Sequence, residues 1–280
     1  MLALLAYPNI DPVIFRAGPF AVRWYGVAYV AAFVGAGLVL RHLNRRWQLG
    51  LSEDDQLETL LAAVIGVIAG ARLGYVLFYG LSGYLKAPLT IFAIWDGGMS
   101  FHGGLIGILL AGVVESRRLK LPFATLADVG SVGAPIGFFF GRLANFVNDE
   151  LWGRVTNVPW AIVFPTGGLV PRHPSQLYEA VLEGIVLFAV MWALSRRVRP
   201  RGTEVGWLLL LYGCFRFAVE FFREPDVQIG FIARYFTLGQ LLSVPMIVAG
   251  AALLLWLRAH PTPTQGPLPR TAEETSADGG

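Results

Sequence analysis

The chain has one cysteine, Cys214, in 280 residues. That excludes an intramolecular disulfide and any cysteine-based metal cluster. Charge is also scarce. Asp, Glu, Lys and Arg make up 15% of the residues, against about 25% in soluble domains. With 55% hydrophobic residues and a mean hydropathy of +0.58, the deficit excludes a water-soluble globular fold. No His-Glu-x-x-His, carboxylate cage, Gly-x-Ser-x-Gly serine or paired aspartate stands out, so neither a metalloenzyme nor an intramembrane protease is expected. The absence of an internal repeat disfavours the repeat-built transporters. The first residues lack a basic segment ahead of a full apolar run, so the first span is expected to act as its own insertion signal. The pI near 9.2 is not read as a nucleic-acid footprint, because excess Lys and Arg in a membrane protein usually mark cytoplasmic loops.

What is present is apolar sequence in membrane-length pieces. Seven segments stand out, at about 21–40, 57–79, 98–114, 124–142, 176–194, 204–222 and 237–257. Backbone polar groups must pair internally in lipid, so these are predicted to be helices. The expected fold is an all-α polytopic membrane protein with seven transmembrane helices and a small extracytoplasmic head, about 143–175, between spans 4 and 5. Residues 1–258 form the predicted catalytic domain, and 259–280, rich in Pro, Thr, Glu and Gly, are predicted to be a disordered cytoplasmic tail.

The basic residues orient the spans. Arg41, Arg45, Arg46, Arg117, Arg118, Lys120, Arg196, Arg197, Arg199, Arg201, Arg258 and Arg270 fall on one side, twelve in all. Arg16, Arg23, Lys86, Arg154, Arg172, Arg223 and Arg234, seven, fall on the other. The larger set belongs in the cytoplasm, which puts the N-terminus outside and the C-terminus inside.

Against this background the charges inside spans are the informative residues, since each costs at least about 2.5–3.5 kcal/mol to insert. Arg142 follows the run 132–141 and opens Arg142-Leu143-Ala144-Asn145-Phe146-Val147-Asn148-Asp149-Glu150-Leu151-Trp152-Gly153. If the helix continues, Arg142, Asn145 and Asp149 share a face, which suits a phosphate held by guanidinium and amide groups. Glu179 and Glu183 face one way and need a partner, most simply an arginine. Ser175 is a candidate helix cap ahead of them. Tyr212, Arg216, Glu220 and Arg223 form one polar stripe on span 6, where Arg216 and Glu220 could also neutralise each other. His102 opens His102-Gly103-Gly104 at the outer end of span 3, either as a proton acceptor or as an interfacial residue beside packing glycines. Tyr25, in Arg23-Trp24-Tyr25-Gly26, lies at the outer end of span 1. Arg72 is expected to pair with a carboxylate, Asp128 to help start span 4, and Cys214 to be a small packing residue. Polar groups from several spans thus gather toward one leaflet, which points to an anionic headgroup handled from outside. An anion channel lined by arginines and a structural scaffold are the competing classes: the polar groups gather on one side rather than along a pore, and a scaffold does not explain Arg216.

These motifs resemble the phosphatidylglycerol–prolipoprotein diacylglyceryl transferases of bacterial lipoprotein maturation. The resemblance covers about residues 9–258 and rests on Arg23–Gly26, His102–Gly104, Gly141–Gly153, Arg172–Glu179 and Tyr212–Arg223 followed by Glu224-Pro225-Asp226. Ala144 stands where the family commonly has glycine. The resemblance implies transfer of a diacylglyceryl group from phosphatidylglycerol to the lipobox cysteine of a prolipoprotein signal peptide, forming a thioether and releasing glycerol 1-phosphate. It implies no cofactor, no metal and no nucleic-acid partner. It places the protein in the bacterial inner membrane with its site toward the outer side. By the same resemblance Arg142 and Arg216 hold the phosphate and His102 is the candidate base, with a carboxylate as the alternative. Tyr25, Asn145, Glu150, Gly153, Glu179, Tyr212 and Glu220 then shape and bind the substrates, with the acyl tails lying between helices.

Overall fold

The structure, a computed structural model, describes residues 5–8, 10–18, 20–225, 230–232, 235–260 and 262–266. Asp226, Arg234, Arg270 and most of the predicted tail lie outside the described residues. The chain divides into two compact units, one of residues 1–48 with 128–280 and the other of residues 49–127.

The larger unit opens with three short strands, β1 (Leu5–Ala6), β2 (Val13–Ala17) and β3 (Phe20–Arg23), then α1 (Trp24–Trp47). Strands β2 and β3 pair antiparallel. Helix α1 shows Val27, Val30, Val34 and Leu38 on its exposed face, a stripe that only lipid would solvate well. It ends where Gln48 turns left-handed, at φ 54°.

The smaller unit holds α2 (Glu53–Tyr79), α3 (Leu81–Lys86) and α4 (Phe101–Arg118). Helix α2 starts in a capping box between Ser52 and Asp55. Gly66, Gly70 and Gly74 recur every fourth residue along it and meet Gly103 and Gly107 of α4. A Cβ on Gly66 would lie 2.7 Å from the Gly107 carbonyl oxygen, and one on Gly74 would lie 2.8 Å from the Gly103 Cα. This is small-residue packing that lets two membrane helices touch by their backbones. The glycines after His102 therefore make a helix contact. Helix α4 starts later than predicted, because Ser100 caps it by accepting from the Gly103 N–H at 3.2 Å.

Arg72 in the same unit differs from expectation. Its partners are carbonyls: Nε donates to Ile91, Nη1 to Gly97 and Gly98, and Nη2 to Thr90 and Ala93. All five guanidinium N–H groups are thereby used on the turns that follow α3, with the cation 5.2 Å from the Tyr84 ring centroid.

Helix α5 (Phe123–Val147) begins in the smaller unit and continues through the larger. Then come β4 (Ile162–Val163), β5 (Pro171–Arg172), α6 (Ser175–Glu179), a π-helical stretch (Ala180–Val186), α7 (Leu187–Ser195), α8 (Thr203–Val219) and α9 (Leu238–Ala259). Strand β4 lies between β1, parallel to it, and β5, antiparallel. Ser175 is the first residue of α6 and not its cap. Its hydroxyl donates to the Leu151 carbonyl, and Pro174 occupies the cap position.

Among the described residues, five helical segments are long and apolar enough to cross a membrane: α1, α2, α5, α6 with its continuation to Ser195, and α9. The other two predicted spans fall on α4 and α8, helices of 18 and 17 residues.

Asp128 does not start its own helix. Its carboxylate accepts from the Gly202 and Val205 N–H groups, at 2.8 and 3.0 Å, and so caps α8. Gln265 donates to the same carboxylate at 2.9 Å and its side chain is fully buried. Residues 262–266 of the predicted disordered tail are thus docked against the larger unit, where the Gln265 N–H also donates to the Arg199 carbonyl and the Arg199 N–H to the Gln265 side-chain oxygen. Cys214 is exposed, and so faces outward from α8 where a packing role was expected.

Candidate active site

Helices α5 and α8, the α6 segment and the residues after α8 bring three guanidinium groups to three carboxylates. Glu179 Oε2 is in ion-pair contact with Arg142 Nε and lies 3.2 Å from Arg216 Nη1. Its other oxygen is 3.8 Å from Arg223 Nη1. Arg216 Nη2 makes a short charge-assisted bond to Glu220 Oε1, which is 4.0 Å from Arg223 Nε. Glu183 stands further back, its two oxygens 3.7 Å from Arg142 Nη2 and from Arg216 Nη1. Glu179, Glu183 and Glu220 are all buried. The arginine side chains keep 19, 13 and 11% exposure for Arg142, Arg216 and Arg223, so the open face of the cluster is its cationic face. A buried charge is tolerated when paired, and a guanidinium fork offers more N–H groups than one carboxylate uses.

Local structure explains the convergence. Gly184 lets the π-helical stretch press on α5, since a Cβ there would lie 2.6 Å from the Phe139 Cβ. A π-bulge widens the turn and is most often kept at functional sites; here it carries Glu183. Glu220 closes the end of α8 and is fixed from α9, where Thr237 donates to its Oε2 at 2.6 Å while capping α9 by accepting from the Gln240 N–H. Gly239 leaves room for that carboxylate, because any Cβ would collide with it. Thr237, Gly239 and Glu183 were not among the predicted site residues. Their signal was present only as an ordinary capping pattern, a small residue and an i, i+4 glutamate pair.

From Arg142 a polar chain runs outward. Its Nη1 is 3.4 Å from Asn145 Oδ1, and Asn145 Nδ2 donates to Glu150 Oε1 at 2.8 Å. Gln176 fixes Glu150 by donating to its carbonyl. Asp149 departs from the predicted face. The helix ends at Val147, Asp149 has φ 55°, and its carboxylate accepts from the Thr166 N–H instead.

Gly153 is threaded between two other segments. Its N–H donates to the His173 carbonyl at 2.9 Å, and Arg154 N–H donates to that of Phe222 at 2.8 Å. A Cβ at 153 would sit 2.5 Å from the first oxygen and 2.6 Å from the second. Arg154, missed by the sequence, then ties the end of α8 by donating to the Arg223 and Glu220 carbonyls. Arg172 donates to the Gly167 and Gly153 carbonyls, pairs with Glu224 at 2.9 Å and stacks 3.9 Å from the Trp152 ring centroid. It belongs to the frame and not to the open face. Burial holds the His173 imidazole below its usual proton affinity, and its Nδ1 is 3.1 Å from the Tyr178 hydroxyl.

Tyr212 stands one turn before Arg216 on α8, its ring 4.8 Å from that of Phe138. Tyr25 is at the start of α1, its hydroxyl 3.4 Å from that of Tyr29. His102 belongs to the smaller unit, on the first turn of α4, exposed and edge-on to Phe101. Arg142, Asn145, Glu150, Glu179, Tyr212, Arg216 and Glu220 are therefore brought together in the larger unit, with Tyr25 near Arg142 and Glu150 and with Gly153 in the frame.

The site and its helices define a class: a multi-pass membrane protein with a cluster of paired guanidinium and carboxylate groups within its helices. The sequence comparisons make the class specific. Residues 12–256 match the family model described as prolipoprotein diacylglyceryl transferase. A phosphatidylglycerol–prolipoprotein diacylglyceryl transferase of Geobacter sulfurreducens is 54% identical over 249 residues, covering 89% of this chain and 96% of the relative. Those of Chromohalobacter salexigens and Rhodospirillum rubrum are 51% and 49% identical, each covering 92% of this chain and 96% of the relative. The chain belongs to the prolipoprotein diacylglyceryl transferase family.

Proposed function

We propose that this protein transfers the diacylglyceryl group of phosphatidylglycerol to the lipobox cysteine thiol of prolipoproteins, the first step of lipoprotein maturation. The observation that carries the reading is the joint hold of Glu179 on Arg142 and Arg216 in a chain of this family. Two guanidinium groups fixed on one counter-ion present a rigid pair of forks to a phosphodiester.

In this reaction the thiol loses its proton and the thiolate attacks the glyceryl carbon. The carbon–sulfur bond forms as the carbon–oxygen bond to phosphate breaks, and glycerol 1-phosphate leaves with added negative charge. Arg142 and Arg216 stabilise that charge where it develops. His102 takes the thiol proton, with Glu150 and Glu220 as the alternatives. Tyr25, Asn145, Gly153, Glu179 and Tyr212 shape and bind. The substrates supply both nucleophile and leaving group, so the chemistry needs no metal and no cofactor.

The seven spans are α1, α2, α4, α5, the α6–α7 segment, α8 and α9, within a catalytic domain of residues 1–258 and ahead of a cytoplasmic tail. The head of about 143–175 lies outside, between spans 4 and 5. The protein sits in the bacterial inner membrane, N-terminus outside, with its site toward the outer leaflet and its acyl tails between helices. The basic-residue asymmetry supports this orientation.

The test is a mass shift. The purified protein is incubated with phosphatidylglycerol and a lipobox peptide. A diacylglyceryl adduct on the peptide cysteine is expected, and its absence with phosphatidylglycerol present defeats the reading.

A further inference from the structure

With its carboxyls ionised, the arginine cluster is electrically balanced before any substrate arrives. Arg142, Arg216 and Arg223 face Glu179, Glu183 and Glu220, three charges of each sign. An anion entering such a buried set leaves it one negative charge in excess, at a depth where excess charge is expensive. Something must give way.

The three carboxylates are not held alike. Glu220 has Arg216 on one oxygen and the Thr237 hydroxyl on the other. Glu179 is in contact with Arg142 and close to Arg216. Glu183 is fully buried and, like Glu179, has no hydrogen-bond partner on either oxygen, but where Glu179 is in ion-pair contact with Arg142, Glu183 comes no nearer than 3.7 Å to a guanidinium nitrogen. The charged and titratable groups facing it are Arg142 from α5, Tyr212 and Arg216 from α8, Arg223 after α8, and Glu179 on its own segment. It lies in the π-helical stretch, so the backbone departs from regular helix to put a carboxylate there.

We propose that Glu183 is a positioning residue that exchanges charge with the substrate: when the phosphodiester of the lipid takes the guanidinium groups of Arg142 and Arg216, Glu183 takes up one proton and the buried set remains neutral. The inference rests on the phosphatidylglycerol reading above. It assigns Glu183 no contact with the reacting atoms. Its role is to let a balanced cluster accept an anion without losing the counter-ions that hold the arginines while the site is empty.

The experiment is calorimetric titration of the detergent-solubilised full chain with a short-chain phosphatidylglycerol, in buffers of different ionisation enthalpy, between about pH 6 and pH 8.5. The phosphodiester keeps its single charge across that range, so any proton taken up belongs to the protein. Uptake approaching one proton per lipid is expected in the wild type, with Kd weakening by up to about tenfold per pH unit at the upper end. Glu183→Gln is neutral beforehand, so it should bind without that uptake and with a flat pH dependence. Glu183→Asp should retain the uptake and serves if the glutamine variant does not fold. Wild-type binding with no proton uptake, or equal uptake in wild type and Glu183→Gln, overturns the inference and leaves the substrate reading standing. Binding unaffected by both Arg142→Lys and Arg216→Lys overturns the substrate reading, and the inference with it.

Discussion

Arg142 and Arg216 meet on one oxygen, Oε2 of Glu179, the first in direct ion-pair contact and the second at 3.2 Å. The two residues come from α5 and α8, so this carboxylate fixes the angle between two guanidinium planes. Lysine in either place keeps the charge and loses the fork. Arg142→Lys or Arg216→Lys should lower diacylglyceryl transfer by about 10²-fold or more, equivalent to a transition-state donor worth ~3 kcal/mol. Near-normal rates in folded, membrane-inserted variants would falsify their place in the mechanism.

Gly153 should tolerate no side chain. A Cβ there meets the carbonyl oxygens of His173 and Phe222 at 2.5 and 2.6 Å, and neither backbone can move without losing its own bond. Gly153→Ala is expected to cost about 1–3 kcal/mol by overpacking. Because Arg154 follows directly and holds the Arg223 and Glu220 carbonyls, activity should fall with stability. Thermal unfolding in detergent read beside the transfer rate checks this, and an unchanged midpoint would contradict it.

Arg72→Lys should loosen the turns after α3. Five carbonyl bonds cannot be replaced by the three donors of an ammonium group. These carbonyls are part-buried, so each one left without a partner costs less than the ~1–3 kcal/mol of a fully buried group. Limited proteolysis is expected to cut within 87–98 in the variant and spare the wild type. Equal resistance would mean that the turns hold themselves.

Helices were legible in the sequence because lipid permits few other structures. All seven predicted segments fall on helices, while the strands of two to five residues left no pattern to read. Arg142, Glu179, Arg216 and Glu220 were legible because charge inside an apolar run is costly and so seldom accidental. What escaped notice depends on tertiary placement. Asp128 was assigned to the nearest helix start in sequence and caps one 75 residues on, at Thr203. Arg72 was matched to a carboxylate because opposite charge is what a sequence displays, whereas backbone carbonyls are available everywhere and visible nowhere. Thr237 reads as a helix cap, and only the fold shows that its hydroxyl also reaches Glu220. Asp149 was placed on a helical face that stops two residues before it.

Orientation can be tested by labelling. With Cys214 replaced by alanine, single cysteines at Arg45 and Arg199 should resist a membrane-impermeant thiol reagent in intact cells, and one at Asn157 should react. The expectation comes from twelve basic residues against seven on the two sides. The reverse pattern would turn the protein over and remove the argument for an outer-leaflet site.

The fate of the thiol proton is the last test. His102 stands on the first turn of α4, exposed beside Phe101, with Gly103 and Gly107 committed to the contact with α2. That helix contact fixes the backbone that carries the ring. Imidazole is the side chain whose charge change falls near neutral pH, so it can accept a proton there. Without it, only the thiolate fraction of a free cysteine reacts, a few per cent at pH 7. His102→Gln should therefore slow transfer at pH 7 and recover much of the loss as pH rises toward ~9, where the thiol ionises unaided. The measurement is a pH–rate profile for both proteins at saturating lipid. The two curves should converge at the alkaline end, because the step that His102 assists no longer needs a base there. A constant ratio at every pH would instead make His102 a binding or orienting group. The proton would then pass to a carboxylate, and Glu150, reached through Asn145 from Arg142, would be the first to test.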